Sequence, residues 1–182
     1  MSDFNLAISF VLKHEGGLSN NLADPGGITN YGVSLRFLKA LGNNLPPGVI
    51  IDEQPTVDAF DVRNMNIAEA RLLYKQDWWD KYQYGNINDQ FLANKVFDIA
   101  INIGPAEAAK LLQKACSQLG SSLEVDGMLG SQSFTVINKL NASNLLTEFC
   151  KNVTFYYQAL VKNNPNLSQF LQGWLNRVND YG

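Results

Sequence analysis

Histidine, cysteine and charged residues are all scarce in this 182-residue sequence. It has one histidine, His14, and two cysteines, Cys116 and Cys150, and only 17% of its residues are charged. These residues do not combine into a credible zinc site, a Ser-His-Asp triad or a Cys-His pair. They also make no disulfide framework. We therefore expect no metal, no organic cofactor and two reduced, buried thiols in a protein made in the cytoplasm.

Long apolar runs and basic clusters are missing as well. No run approaches the roughly 18 apolar residues that span a bilayer. The first residues, MSDFNLAISFVLKHEGG, carry an acid in place of a basic region and no small-residue cleavage site, so we expect no signal peptide. The formal charge of −3 is unlike the basic face of a nucleic-acid protein. These features predict no membrane insertion and no nucleic-acid partner.

Apolar residues make up 46% of the chain and recur mostly at helical spacing. Ser34 is placed to cap a short helix, and Asn66 followed by Glu69 resembles a capping box. The pattern predicts a mainly α protein with a hairpin within residues 18–33 and a loop crossing over 42–64. The predicted helices are 3–14, a short one after Ser34 that carries Leu35 to Leu41, and one that opens at Asn66 and runs through Trp79. A central helix is predicted within NDQFLANKVFDIAINIG, which Gly104-Pro105 stops, and the next carries Ala108 to Leu119. The last three cover 131–140, 143–162 and 167–179. We interpret residues 1–182 as one domain, with one lobe over 1–90 and a second over 91–182.

The stretch HEGGLSNNLADPGGITNYG, residues 14–32, concentrates polar and glycine residues directly after the first predicted helix. Glu15 lies at the C-terminal end of that helix, where the helix dipole disfavours negative charge, which suits a carboxyl that keeps its proton. Gly16 and Gly17 leave open space beside it. Asp24 follows nine residues later, and Thr29 five after that. Glycosidic hydrolysis needs one protonated carboxyl and a second group that stabilises positive charge or activates water.

Each of these residues also has an ordinary structural explanation. A glutamate before two glycines is usually solvated, and Asp24 before a proline is a common turn former. Thr29 alone is uninformative. His14 is favourable at a helix C-terminus without being a base or a ligand. The carboxylates are nevertheless the only catalytic pair that the composition allows.

Four blocks of the chain together resemble glycoside hydrolase family 108, the N-acetylmuramidases of phage endolysins and bacterial lytic proteins. The blocks are EGGLSNNLADPGGITNYGVS, AEARLLYKQDWWDKY, VFDIAINIGPAEAAKLLQKA and VDGMLGSQSF. The second contains the family's Tyr-x-x-x-x-Trp pattern, and the last matches the start of a peptidoglycan-binding segment. The resemblance implies a lysozyme-like helical fold with a short β-hairpin, and a peptidoglycan-binding segment within 91–182.

The resemblance also implies cleavage of the β-1,4 bond between N-acetylmuramic acid and N-acetylglucosamine. It places the essential acid on Glu15 and implies catalytic roles for Asp24 and Thr29. The spacing of these three is similar to the Glu-Asp-Thr arrangement of phage lysozymes, although Asp24 to Thr29 is one residue shorter. Residues that we expect to bind substrate are Asn30, Tyr31, Trp78, Trp79 and Asn102.

Two of these assignments carry alternatives. Trp78 and Trp79 are adjacent, so at most one can face the core while the other lines a groove. Asp98 and Asn102 lie four apart on one face of an apolar helix, where they either anchor the loop that carries Glu15 or make structural hydrogen bonds only.

Other functions stay open at this point. One alternative is a non-catalytic peptidoglycan-binding module; another is a wall amidase or endopeptidase, although those reactions usually use zinc or a Cys-His pair. For the hydrolase, the expected partner is peptidoglycan, and we expect a monomer. We expect it to wait in the cytoplasm until a separate holin-like or export protein gives it access to the periplasm and cell wall.

Overall fold

The helical periodicity of the sequence appears as helices in the computed structural model, which describes residues 1–19, 27–42, 44–49 and 56–180. The described residues form two compact units, one of Val11–Lys81 and one of Met1–Phe10 with Tyr82–Gly182. The α-helices are α1 (Phe4–His14), α2 (Leu35–Leu41), α3 (Ala59–Asn64), α4 (Ile67–Tyr74), α5 (Gln90–Ile103), α6 (Pro105–Gln118), α7 (Ser131–Lys139), α8 (Ala142–Asn163) and α9 (Ser168–Asn179). The strands are β1 (Thr29–Asn30) and β2 (Val33–Ser34), which pair antiparallel. The prediction of a mainly α fold with one short hairpin is confirmed.

Side-chain caps start helices α2 and α4 of the Val11–Lys81 unit where the sequence predicts them. The Ser34 hydroxyl accepts a hydrogen bond from the Phe37 amide at the start of α2. Asn66 and Glu69 form both halves of a capping box at the start of α4. The core of this unit consists of apolar side chains from the end of α1, the hairpin, α2, α3 and α4: Val11, Ile28, Val33, Leu38, Val62, Ala70 and Leu73.

The prediction of a loop throughout residues 42–64 is wrong, because α3 occupies Ala59–Asn64. Asp58 begins this helix with a capping box: its side chain accepts from the helix, and the Asp61 carboxylate accepts a hydrogen bond from the Asp58 amide. The acids that favoured a loop are therefore the residues that cap the helix. Residues 43 and 50–55 lie outside the described part.

A short π-helix, Lys75–Asp80, follows α4 directly. Lys75 and Asp80 form an ion pair across it, with Nζ 2.7 Å from Oδ2. The tandem tryptophans Trp78 and Trp79 lie within this π-helix. Trp79 is buried, whereas Trp78 is half-buried and its ring packs near that of Phe37, with centroids 6.4 Å apart.

Helix α5 is the centre of the other unit, and its residues 92–100 are all buried. Helices α6 and α8 pack against it, and α9 packs against α8. At the N-terminus, the Asp3 carboxylate caps α1, and the Asp3 amide and carbonyl bond to the side chain of Gln90. Both cysteines are free and buried, as the sequence predicts.

Two charged side chains are buried on α5, and both bind the end of α9. The ammonium of Lys95 donates hydrogen bonds to the carbonyl oxygens of Arg177, at 2.6 Å, and of Asp180. Burial lowers the pKa of Lys95. Asp98 is wholly buried, and its Oδ1 lies 3.2 Å from Nε of Arg177. These polar contacts attach the C-terminal helix to the central one.

No helix within the described residues is both long and apolar enough to cross a membrane. The division of residues 1–182 into lobes at 90 and 91 stays a prediction.

Candidate active site

Glu15 lies where helix α1 ends. Its amide still donates to the Val11 carbonyl at 3.0 Å, so the residue occupies the C-terminal cap of the helix, as the sequence predicts. The side chain is partly exposed. Gly16 and Gly17 follow, and a β-carbon built on either would meet no described atom within 4 Å. The β-carbon positions of these two glycines are therefore free of described atoms.

The chain after these glycines returns to the hairpin. Ser19 and Thr29 exchange both backbone hydrogen bonds, with N–O distances of 2.8 and 2.9 Å. Thr29 also pairs with Ser34 across the hairpin. Thr29 thus lies between two neighbouring backbone segments, and its side chain is half-buried.

Tyr31 and Gly32 form the two-residue turn of the hairpin. Both have positive φ, 50° for Tyr31 and 77° for Gly32, and the flanking Asn30 and Val33 are paired. Positive φ at both central positions is typical of the type I′ turn, whose twist matches that of the strands. Tyr31 is an unusual residue for this conformation, which a bulky side chain rarely adopts.

The Glu15 carboxyl packs against the α-carbon of Gly32. A β-carbon built on Gly32 would lie 2.6 Å from Oε2 of Glu15 and 2.9 Å from its Cδ. It would also lie 2.5 Å from the hydroxyl oxygen of Tyr74. Glycine at this position therefore gives both conformational freedom and the space that the two side chains occupy.

Tyr74, the last residue of α4, reaches this turn with a buried ring that is only 3% exposed. Its hydroxyl donates a hydrogen bond to the Tyr31 carbonyl at 3.1 Å. Tyr74 and Gly32 are the site residues that sequence reasoning missed. Both were inside the quoted blocks, as the Tyr of Tyr-x-x-x-x-Trp and the Gly of Tyr-Gly.

Asn30 holds the other side of the hairpin. Its side chain is buried, and its amide nitrogen donates to the carbonyls of Val62, at 3.0 Å, and Met65, at 3.1 Å. These carbonyls belong to the end of α3 and the residue that follows it. The amide nitrogen is thus occupied by backbone, and a sugar contact for Asn30 stays a prediction made from its place in the motif.

The structure brings some of the predicted site residues together and leaves others apart. Thr29, Asn30 and Tyr31 share the hairpin against which Glu15 packs, and Asp24 lies outside the described residues. Trp79 is 5% exposed and packs in the interior of its unit, so Trp78 is the tryptophan with accessible surface. One of the pair faces the core, as the sequence analysis anticipated.

Asn102 belongs to the other unit, where its Oδ1 accepts a hydrogen bond of 2.7 Å from the hydroxyl of Tyr157. Asp98, one turn earlier, pairs with Arg177. Both side chains therefore have partners within their own unit, which is what the structural alternative predicts. Whether Asn102 also contacts substrate stays a prediction.

The chemistry available at the hairpin is that of a partly exposed carboxyl group held against the turn. Among the described residues, no group of three His, Cys, Asp or Glu side chains is placed to hold a metal ion. A carboxyl group can deliver a proton to an oxygen atom that lies beside it.

Comparisons with known proteins identify the family of this chain. Residues 8–104 match the family model described as Glycosyl hydrolase 108, and residues 107–179 match one described as Predicted Peptidoglycan domain. The solved structure of SagA from Brucella abortus is similar, with a TM-score of 0.75 and 27% identity over 96% of this chain and 88% of that one. No curated protein matches the sequence. The chain belongs to glycosyl hydrolase family 108 and is a glycoside hydrolase that acts on peptidoglycan.

Proposed function

We propose that this enzyme is an N-acetylmuramidase, which cleaves the β-1,4 bond between N-acetylmuramic acid and N-acetylglucosamine, and that Glu15 is its general acid. The observation that carries the proposal is the contact of the Glu15 carboxyl with the α-carbon of Gly32 at the turn of the hairpin. Membership of the glycosyl hydrolase family and the second, peptidoglycan-domain match support the choice of substrate.

The proposed reaction begins with a protonated Glu15. Its proton goes to the glycosidic oxygen as the bond from that oxygen to C1 of the muramic acid breaks, which gives a free hydroxyl on the leaving sugar. Water then adds to C1, and its proton passes to a carboxylate. We assign to Asp24 the stabilisation of the positive charge that develops at C1, or the orientation of water, and to Thr29 a hydrogen bond to that water. Tyr31 and Trp78 shape the sugar subsites.

Product analysis of digested peptidoglycan tests the bond. Borohydride reduction before mass spectrometry labels the new reducing sugar. A muramidase gives reduced N-acetylmuramic acid, whereas a glucosaminidase gives reduced N-acetylglucosamine and a lytic transglycosylase gives an anhydro sugar without a reducing end. Either of the last two products would overturn the proposal, and free amines without reducing ends would indicate an amidase or endopeptidase.

A matched pair of variants tests the acid. Glu15→Gln keeps the shape of the side chain but replaces the acidic carboxyl by an amide, which cannot donate the proton. We therefore expect loss of wall lysis with an unchanged melting temperature. Glu124→Gln alters an exposed glutamate of the other unit and serves as the control. Near wild-type activity of Glu15→Gln would remove Glu15 from the mechanism.

The non-catalytic module that the sequence left open is not a separate function here, because the hydrolase match and the peptidoglycan match cover different parts of one chain. We further propose a monomer that waits in the cytoplasm until a separate holin-like or export protein gives it access to the wall. Expression alone should then leave cells intact, while added permeabilising agent should lyse them. Spontaneous lysis would contradict this part.

A further inference from the structure

We infer that Tyr74 is a positioning residue, which sets the place of the Glu15 carboxyl by holding the Tyr31-Gly32 turn against it. The inference rests on the proposed role of Glu15 as general acid. It concerns the residues that keep this acid in one place.

The first observation is that two side-chain oxygens converge on Gly32. Tyr74 Oη lies 2.5 Å, and Glu15 Oε2 lies 2.6 Å, from the point where a Gly32 β-carbon would stand. The two oxygens are therefore at most 5.1 Å apart, on one face of the turn. They share the space that the missing side chain leaves.

The second observation is the direction of the Tyr74 hydrogen bond. The phenol hydroxyl donates a hydrogen bond to the carbonyl oxygen of Tyr31 at 3.1 Å. The carbonyl of Tyr31 belongs to the peptide group that leads into Gly32. The bond therefore holds the same peptide whose next α-carbon supports the carboxyl.

The third observation is that each end of this arrangement is held by contacts within the Val11–Lys81 unit. The Tyr74 ring is buried, and the residue joins α4 to the π-helix, whose ion pair spans its whole length. On the hairpin side, Tyr31 keeps positive φ, and the buried Asn30 amide holds β1 by two hydrogen bonds to backbone. A backbone conformation that a bulky residue rarely adopts persists only where the surroundings hold it. The Tyr74 hydroxyl is one of the groups that hold it.

Without the hydroxyl, the turn loses its only described side-chain bond to the Tyr31 carbonyl, and the support of Glu15 can shift. Small displacements of a reacting group lower the rate of the chemical step more than they lower binding. Tyr74→Phe keeps the ring and removes the hydroxyl. We expect its kcat on soluble glycan chains to fall by about ten-fold or more, with KM within about two-fold of the wild type.

Tyr84→Phe is the matched control, because Tyr84 is an equally buried tyrosine of the other unit. It removes a buried hydroxyl without touching the turn, and its kcat should stay within about two-fold of the wild type. If the two variants show equal decreases in melting temperature and equal decreases in kcat, the Tyr74 hydroxyl matters only for stability and the inference fails. Peptidoglycan pull-down by Tyr74→Phe should match that of the wild type, and a loss of binding would also contradict a positioning role.

Gly32→Ala tests the same contact from the other side, because its β-carbon would take the space of both oxygens. We expect it to abolish turnover. If it does not fold, Tyr74→Phe still decides the question.

Glu15→Gln, measured beside these variants, separates the two proposals. If Glu15→Gln is active, the proposed function fails. If Glu15→Gln is inactive and Tyr74→Phe has wild-type kcat, only the positioning role fails.

Discussion

Nε of Arg177 lies 3.2 Å from Oδ1 of the wholly buried Asp98, so the last helix carries the partner of a carboxylate on the central helix. Removing one member of a buried ion pair leaves an uncompensated charge. We expect Arg177→Met to lower the free energy of unfolding by roughly 3 kcal/mol, measured by urea denaturation. Lys151→Met, which breaks an exposed ion pair with Glu148, should change it by less than about 1 kcal/mol. Equal effects would show that burial of Asp98 is not what matters.

The buried side chain of Gln113 organises the VDGMLG turn. Its Nε2 donates to Oδ1 of Asp126 at 2.8 Å and to the Met128 carbonyl at 3.0 Å, and its Oε1 accepts from the Gly127 amide at 2.9 Å. Net contributions of about 1 kcal/mol per hydrogen bond predict that Gln113→Leu loses roughly 2–3 kcal/mol in urea denaturation. The exposed Gln172→Leu is the control. A decrease in the free energy of unfolding below about 0.5 kcal/mol would mean that the turn is stable without the Gln113 hydrogen bonds.

We expect the stability that this turn provides to depend on pH. The hydrogen bond from Gln113, followed by that from the Met128 amide, lowers the pKa of Asp126 below 3.8. Stability from this carboxylate is thus present above the pKa of the unfolded state and is lost as the pH falls through the lower pKa of the folded state. We expect the difference between wild type and Gln113→Leu in urea midpoint to shrink on acidification below pH 3.8. A difference that is constant down to pH 2 would contradict this assignment.

At alkaline pH, Cys116 should make the stability of the fold decrease as the pH rises. Burial raises the pKa of its thiol from 9.0 to about 11. The unfolded chain therefore loses this proton first, and the stability that the neutral thiol provides is complete below about pH 9 and is lost as the pH rises toward 11. Between pH 9 and about 11, the urea midpoint of Cys116→Ala should fall less than that of the wild type. A thiol reagent at pH 8 should leave the folded protein unlabelled and label two cysteines once it unfolds.

Gly17 differs from Gly32 in what it can tolerate. A β-carbon at Gly17 would meet no described atom within 4 Å. Gly17→Ala should therefore keep the fold and add up to about 1 kcal/mol of stability, because the unfolded chain loses freedom. If substrate occupies this space, KM should rise several-fold while kcat stays close to that of the wild type. An unchanged KM would place the glycan elsewhere.

Local signals in the sequence were sufficient for much of the fold. Ser34 and the Asn66-Glu69 pair each cap the helix that they predict, since capping involves residues within one turn. The same kind of signal was present at Asp58 and Asp61, but the surrounding prolines and acids favoured a loop, and α3 was missed.

The site itself was only partly predictable. A glutamate at a helix C-terminus is locally unfavourable, which drew attention to Glu15, but its role as the acid came from the family resemblance and stays a proposal. Its contact with Gly32 joins residues 17 positions apart, and Tyr74 lies 59 positions after Glu15 in the chain. No periodicity or cap encodes such contacts. The turn was also hard to recognise, because Tyr31 is an uncommon residue at positive φ.

Glu15 packs against a main-chain carbon, that of Gly32. Positions 32 and 74 should therefore differ in how they tolerate substitution. A side chain that holds a catalytic group can be shortened by degrees, but at Gly32 every substitution adds atoms to occupied space. A scan of all residues at position 32 should therefore give uniform loss of activity, alanine included. A scan at position 74 should give a graded series, in which an aromatic ring without a hydroxyl retains the most activity.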